Sequence, residues 1–285
     1  MRLAISTCPN DTFAFHAILH RKIDLRGLEF DIELLDIQQL NEGLLTGQFD
    51  ISKASFYAAI RSAETTFVLP SGSALGFGVG PLLLASASQT SPDRQLPGGS
   101  SITLCPGSLT TAALLFELFY ATAIAEGKTT VQHCIFSDIM PALKNSCADF
   151  GVCIHEGRFT WPDEGLFLVA DLGTRWEQDT NSPLPLGGIV ARRDLDRNQL
   201  WTAQAVIRDS IEYAFAHRDE TVPTMRHYAQ SLIDEVLLQH VDLYVNDWTI
   251  DLGDVGRRAL DRLTDKAIEC GLIDPRGRRL EILTR

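Results

Sequence analysis

The sequence contains no hydrophobic run long enough to cross a membrane. Its longest apolar segments, such as residues 82–85, are far shorter than the roughly 20 residues that a membrane helix needs. The N-terminus lacks a basic stretch followed by an apolar core, so we expect no secretory signal peptide. Of the 285 residues, 45% are hydrophobic and 22% are charged. These proportions predict a globular cytoplasmic protein with one large domain or two ordinary ones.

Basic residues are scarce relative to acidic ones. The chain has 25 Lys and Arg against 37 Asp and Glu, which gives a net charge of −12. Such a surface repels a phosphate backbone, so we expect no nucleic-acid partner. An anionic small molecule would have to be held by local features, namely single basic side chains or helix N-termini.

The sequence also lacks the common metal, nucleotide and nucleophile motifs. Its six cysteines form no C-x-x-C pair, and its histidines show no ligand spacing. The run Gly76-x-Gly78-x-Gly80 lacks the full dinucleotide-binding spacing, and no G-x-S-x-G elbow occurs. We therefore expect no metal and no cofactor. Without an export signal the thiols should stay reduced and pack as small hydrophobic groups.

The first third of the chain alternates between strand and helix patterns. This alternation favours an α/β fold with a largely parallel sheet that is covered on both faces. The predicted strands are Leu3–Ser6, Glu29–Leu34, Asp50–Ser52, Thr66–Leu69 and Pro81–Ala85, and the predicted helices are Asp11–His20, Ile37–Leu45 and Ser55–Ser62.

Residues 86–99 are rich in Ser, Thr, Pro and Gly, which is typical of a loop or a segment that crosses between domains. A second α/β unit follows, and from Asn198 onward the pattern is almost entirely helical. Helices without strands of their own must pack on something formed earlier in the chain. We therefore predict two lobes with a cleft between them: a discontinuous lobe 1 at 1–89 and 187–285, and lobe 2 at 90–186.

Three predicted helix starts have the design of an anion site, since free N–H groups and the positive helix end attract negative charge. The first follows Ser6 and offers Asn10, Asp11 or Thr12 as a cap. The second places Lys53 at a turn before Ser55. The alternative for each is ordinary N-capping, which is common in α/β proteins.

The third helix start runs from Cys105 to Ala113. Gly107 permits a tight turn there, and hydroxyl groups cluster at the helix mouth, including those of Thr110 and Thr111.

The apolar run Phe150–Ile154 predicts a buried strand that stops at His155. Reactive groups in open α/β sheets lie where strands end, and histidine moves protons most readily near neutral pH. The alternative is a structural histidine with a satisfied hydrogen bond. The segment continues with Glu156, Gly157 and Arg158, so Arg158 is a candidate for the cleft lining.

Several motifs together resemble the 1,4-dihydroxy-6-naphthoate synthases of the futalosine route to menaquinone. These are Ser-Thr-Cys-Pro-Asn-Asp-Thr-Phe at 6–13 and Val-Cys-Ile-His-Glu-Gly-Arg-Phe-Thr at 152–160, with further matches at 71–81, 183–187 and 244–246. The resemblance covers essentially the whole chain. It implies a two-lobed fold similar to the type 2 periplasmic binding proteins, with the C-terminal helices returning to the first lobe.

The resemblance also implies a lyase that converts cyclic dehypoxanthinyl futalosine into 1,4-dihydroxy-6-naphthoate and a dihydroxyfuranone. It makes His155 the proton acceptor. It assigns the substrate contacts to Lys53, Ala54 and Ser55, and to Thr111 and Ala112, which fall on two of the three helix starts. Asn10, Asp11, Thr110 and Arg158 are further candidates for the cleft lining.

Two alternatives remain open at this point. A chorismate dehydratase of the same pathway would also be a two-lobed lyase, although the Cys-Pro-Asn-Asp and His-Glu-Gly-Arg-Phe segments favour the naphthoate synthase. A small-anion binding protein without catalysis would need neither His155 nor a cytoplasmic location. The sequence does not fix the oligomeric state, and a homodimer is compatible with it.

Overall fold

A computed structural model describes residues 1–86, 100–229 and 233–284 as an α/β protein with two sheets. The strands are β1 (Arg2–Ser6), β2 (Asp31–Leu35), β3 (Ile51–Ser55), β4 (Thr66–Val68), β5 (Ala74–Gly76), β6 (Leu82–Ala85), β7 (Ser101–Cys105), β8 (Thr129–His133), β9 (Phe150–Cys153), β10 (Phe167–Asp171) and β11 (Leu184–Arg192).

The helices alternate with these strands and then dominate the C-terminal third. They are α1 (Pro9–Ala14), α2 (His16–Leu19), α3 (Ile37–Leu45), α4 (Phe56–Arg61), α5 (Thr111–Ala125), α6 (Phe136–Lys144), α7 (Gly157–Thr160), α8 (Leu172–Thr180), α9 (Arg197–Ala216), α10 (Arg218–Tyr228), α11 (Asp234–Tyr244), α12 (Asp247–Ile250) and α13 (Gly253–Glu269).

The first sheet has the strand order β2-β1-β3-β11-β4, and β5 also pairs with β11. β1 is parallel to β2 and β3, whereas β11 runs antiparallel to β3, β4 and β5. The sheet is therefore mixed, where the sequence predicted a largely parallel one. The late strand β11 makes the difference, because it follows the second unit in the chain and runs antiparallel to its neighbours in the first sheet.

The second sheet has the order β10-β6-β9-β7-β8. β7 is parallel to β8 and β9, and β6 runs antiparallel to β9 and β10. The strand β6 thus belongs with the second unit, although the predicted boundary at residue 89 put it in lobe 1. Its partners β9 and β10 come more than 60 residues later, so the local pattern could not show this pairing. The other boundaries stay a prediction.

The loop was predicted at 86–99, and of these residues the structure describes only Ser86. The predicted crossing point near Thr90 therefore lies outside the described residues. The return is seen, because β11 carries the chain from the second unit into the first sheet.

The C-terminal helices pack on the first unit, as predicted. Helix α9 contacts α2, α10 and α11 contact α1, and α12 and α13 contact β5 and β11. One of the apolar clusters at this junction joins Phe13 of α1 to Met225, Leu237 and Val241 of the C-terminal helices, all of them buried. The C-terminal helices thereby fix α1, which begins directly after β1, against the sheet.

Two local predictions on the first unit are corrected. The predicted helix Asp11–His20 is two short helices that break at Phe15, and the first begins at Pro9, since proline favours the first turn of a helix. The N-cap residue is Cys8, and no side chain caps the helix. The side chains of Asn10 and Asp11 therefore remain available for other contacts.

Within the described parts of the chain, no helix combines the length and apolar character needed to span a membrane.

Candidate active site

A cleft with an empty volume of about 650 Å³ lies where strands of both sheets end. β1 ends at Ser6, β3 at Ser55 and β9 just before His155, and Ser6, Ser55 and His155 all line the cleft. This placement agrees with the rule that ligands of α/β proteins bind beyond the carboxyl ends of strands. The remaining lining residues are Asn10, Asp11, Ile37, Lys53, Ala74, Gly80, Pro81, Thr110, Thr111, Ala112, Ile154, Leu186, Gly187, His240 and Tyr244.

His155 has an unusual backbone conformation. Its φ angle is +55°, in the left-handed region that few residues other than glycine adopt, although Asn, Asp and His tolerate it best. The residue lies between the end of β9 at Cys153 and the start of α7 at Gly157. The turn directs the imidazole into the cleft, and backbone strain of this kind is concentrated at functional sites.

Cys8 and Phe136 contact the imidazole of His155. The Cys8 sulfur lies 3.4 Å from Nδ1 and 3.5 Å from Nε2, so the thiol is not directed at one nitrogen. The Phe136 ring packs edge-on, with ring centroids 4.9 Å apart. A thiol is a weak donor, and its own pKa is raised by burial, so it leaves the imidazole free to act as a base.

Burial lowers the pKa of His155 below its ordinary value of 6.5, and the carboxylates of Glu156, Asp36 and Asp11 oppose this effect. The imidazole is therefore neutral near pH 7. A general base must be unprotonated to accept a proton, and the neutral imidazole of His155 meets this requirement.

Lys53 and Asp11 form a buried ion pair, with 2.6 Å between Nζ and Oδ1 and side chains that are 6% and 3% exposed. Lys53 also donates to the carbonyl oxygen of Gly72 at 3.4 Å. Lys53 lies inside β3, not in a turn as predicted, because β3 pairs with β11 as far as Ser55. The helix α4 that follows does not use Ser55 as a side-chain cap.

Asn10 links this ion pair to a second histidine. Its Nδ2 donates to Asp11 Oδ1 at 2.9 Å, and its Oδ1 lies 3.1 Å from Nε2 of His240. Burial lowers the pKa of His240 well below 6.5, and the positive charge of Lys53 lowers it further. The two imidazoles stack across the cleft at 6.2 Å between centroids.

The N-terminus of α5 also lines the cleft. Thr110 caps the helix by accepting from the Ala113 N–H, and the first turn contains no acidic residue. The Thr111 hydroxyl donates to the Leu186 carbonyl at 2.7 Å and accepts from the Tyr57 N–H at 3.4 Å. The N–H groups of Thr111 and Ala112 precede the internal hydrogen bonds of the helix, so they are available to a ligand.

The cleft thus brings together most of the residues that the sequence singled out. Two of them do not reach it. The Ala54 side chain is fully buried, because it faces away from Lys53 and Ser55 along β3. Arg158 pairs with Asp171 at 2.6 Å and donates to the Gly80 carbonyl at 3.1 Å, so it braces the wall without lining the cleft.

Sequence reasoning missed His240 and Tyr244. They lie four residues apart on α11, one turn of a helix, and therefore share a face. Their rings pack together at 4.5 Å between centroids. No local motif marks His240, because α11 reaches the cleft by packing on distant elements such as α1. Tyr244 begins the matching segment at 244–246, but nothing in that segment indicates a place in the cleft. The part of the chain that the structure describes contains no group of three or more residues suited to a metal ion.

The architecture and cleft define a class of protein, the two-lobed α/β fold of the periplasmic binding proteins. The aliphatic sulphonate binding protein of Escherichia coli has a TM-score of 0.63 at 12% identity, covering 96% of this chain and 88% of that one. A protein from Archaeoglobus fulgidus is more similar, with a TM-score of 0.86 at 29% identity over 95% of this chain and 98% of its own.

The sequence comparisons are more specific. A family model for menaquinone biosynthesis matches residues 1–269. Relatives named 1,4-dihydroxy-6-naphthoate synthase are 39% identical in Thermus thermophilus and 35% identical in Streptomyces coelicolor. The alignments cover 98% of this chain and 98% of the first relative, and 97% and 96% for the second. The chain therefore belongs to the menaquinone-biosynthesis family, as its motifs indicated, and is an enzyme of that pathway.

Proposed function

We propose that the protein is a lyase that converts cyclic dehypoxanthinyl futalosine into 1,4-dihydroxy-6-naphthoate and a sugar-derived fragment. The observation that carries the proposal is the position of His155, which lies in the motif at 152–160 and lines the same cleft as the start of α5. His155 takes an acidic proton from the substrate. The electron pair of the broken C–H bond forms a double bond of the new ring as the C–C bond to the sugar-derived fragment breaks. The electron pair of that C–C bond leaves with the fragment, which takes up a proton.

The driving force comes largely from the aromatic ring that the elimination creates. The protein then has to place one base and to orient the substrate, and a positioned base typically contributes about 10²- to 10⁴-fold. This chemistry asks for no metal or redox cofactor.

The substrate carboxylate binds at the start of α5 and not at Lys53. The charge of Lys53 is already paired with Asp11, whose second carboxylate oxygen, Oδ2, would repel an anion. The N-terminus of α5 offers unused N–H groups and a positive helix end with no acidic residue in the first turn. The anionic end of the substrate therefore binds at the start of α5, and its other end lies near Lys53.

The assay that tests this function is direct. Purified protein is incubated with cyclic dehypoxanthinyl futalosine and, separately, with chorismate, and the products are followed by chromatography. We expect naphthoate from the first substrate and no dehydration of the second. Turnover of chorismate alone would identify a chorismate dehydratase, and binding of either compound without turnover would identify a non-catalytic binding protein. The cytoplasmic location and the oligomeric state stay predictions.

Replacing Thr111 by Val should raise KM for the substrate by about fivefold, with a smaller change in kcat. The variant loses the hydrogen bond to the Leu186 carbonyl that holds the start of α5 in the cleft wall, and one such bond is worth about 1 kcal/mol. Thr103→Val is the matched control, because it removes a buried Thr103–Thr129 hydrogen bond away from the cleft lining. If Thr111→Val and Thr103→Val have the same KM, the start of α5 is not part of the substrate-binding site.

The pH dependence of kcat/KM tests the protonation state of the base. Only neutral His155 accepts a proton, and burial lowers its pKa below 6.5. We therefore expect kcat/KM to fall on acidification with a midpoint below pH 6.5, as the imidazole becomes protonated. A midpoint above pH 6.5 would contradict a buried imidazole base.

A further inference from the structure

Two buried acceptor atoms on residues that line the cleft lack a hydrogen-bond partner among the described residues. They are Oδ2 of Asp11 and Nδ1 of His240. Both residues line the cleft, and they are 2% and 1% exposed. A buried polar atom without a partner costs free energy, so such atoms in a binding cleft point to a group that a ligand supplies.

The hydrogen bonds around these atoms fix what that group must be. The Asp11 carboxylate can only accept, so the Asn10 amide nitrogen faces it and the amide oxygen faces His240. An amide oxygen also only accepts, so Nε2 of His240 carries the proton. The ring is neutral, because burial lowers its pKa well below 6.5. Nδ1 therefore carries no proton, and its lone pair can only accept a hydrogen bond from a donor group.

We infer that Asp11 Oδ2 and His240 Nδ1 form a hydroxyl-binding subsite that holds the sugar-derived part of the substrate. Hydroxyl groups are the neutral donors that such a fragment offers, and the subsite rejects carboxylates because both of its atoms are acceptors. This inference rests on the proposed function for the identity of the substrate. The hydroxylated end then lies at Asp11 and His240, and the carboxylate lies at the start of α5, which lines the same cleft.

Lys53 and Asn10 are positioning residues in this arrangement. Lys53 holds Asp11 Oδ1 at 2.6 Å and Asn10 holds the same oxygen at 2.9 Å, so Oδ2 is the oxygen left for the ligand. Asn10 also sets the tautomer of His240. The Lys53 charge therefore serves to keep Asp11 in place and not to bind an anion.

Two variants of His240 separate a binding role from a structural one. His240→Gln keeps a donor near the Nε2 position but has no acceptor at the Nδ1 position, whereas His240→Asn places an amide oxygen near Nδ1. We expect KM for cyclic dehypoxanthinyl futalosine to rise about tenfold in His240→Gln and by less than threefold in His240→Asn, with kcat within about twofold of the wild type. A purely structural histidine would give the two variants the same KM.

The product naphthoate provides the second probe, since it lacks the sugar-derived fragment. His240→Gln should leave the Kd of 1,4-dihydroxy-6-naphthoate unchanged, whereas Thr111→Val should weaken it. If His240→Gln weakens naphthoate and substrate equally, or weakens neither, the subsite assignment is wrong.

A third measurement keeps the inference testable if the proposed function fails. In ¹⁵N-histidine-labelled wild-type protein, the His240 signals, assigned by their loss in His240→Gln, should show a protonated Nε2 and a bare Nδ1. Titration with D-ribose should then shift the Nδ1 signal selectively. A protonated Nδ1, or no response to ribose, overturns the subsite whatever the enzyme turns over.

Discussion

Replacing His155 by Asn is expected to lower kcat by about 10²- to 10⁴-fold, the usual contribution of a positioned general base. Asparagine cannot accept the proton, but it tolerates the left-handed backbone that His155 adopts at φ +55°. The fold should therefore survive, with an unfolding free energy within about 1 kcal/mol of the wild type. KM should change little, because the carboxylate is held at α5.

The loss should be specific to this histidine. His217 is exposed on the far end of α9 and does not line the cleft, so His217→Asn should keep the wild-type kcat. Single-turnover kinetics separate the chemical step from product release and should show the defect of His155→Asn in the chemical step. A near-wild-type rate in a folded His155→Asn variant would end its assignment as the base.

The second large effect is on stability. Lys53→Met should lower the free energy of unfolding by about 3–5 kcal/mol, because it leaves the Asp11 carboxylate buried without its counter-ion. Both side chains are almost completely buried, at 6% and 3% exposure, so the solvent screens the unpaired charge only weakly. Urea unfolding, followed by circular dichroism, measures the change.

Two controls define the cause of this effect. Lys144 forms an ion pair with Glu164 at the surface, where the lysine side chain is 50% exposed, so Lys144→Met should cost less than about 1 kcal/mol. The double variant Lys53→Met/Asp11→Asn removes both charges and should recover much of the lost stability. If the single variant is as stable as the wild type, the ion pair does not hold the cleft wall.

The sequence predicted those parts of the fold that depend on local patterns. Helix α3 begins and ends at Ile37 and Leu45 as expected, because Asp36 caps it and its apolar residues recur at helical spacing. His155 follows a buried strand, as its apolar run indicated. The C-terminal helices also pack on the first unit as expected, since their apolar faces have no strands of their own to cover.

The remaining differences arise from contacts between distant parts of the chain. β3 extends through Lys53 to Ser55 because β11, more than 130 residues later, pairs with it. β6 likewise joins the second sheet because it pairs with β9, which follows more than 60 residues later. His240 enters the cleft from α11 through its hydrogen bond to Asn10, 230 residues away in sequence. No periodicity or motif near these residues records such pairings, so single-sequence reasoning could not supply them.

The central claim is that His155 reaches the reacting group while the start of α5 holds the carboxylate. A crystal structure of His155→Asn bound to cyclic dehypoxanthinyl futalosine tests it most directly, because the variant binds the substrate without consuming it. The account predicts the substrate carboxylate on the N–H groups of Thr111 and Ala112, with the acidic position within about 3.5 Å of the side chain at position 155. A carboxylate bound at Lys53, or a reacting carbon far from position 155, would contradict it.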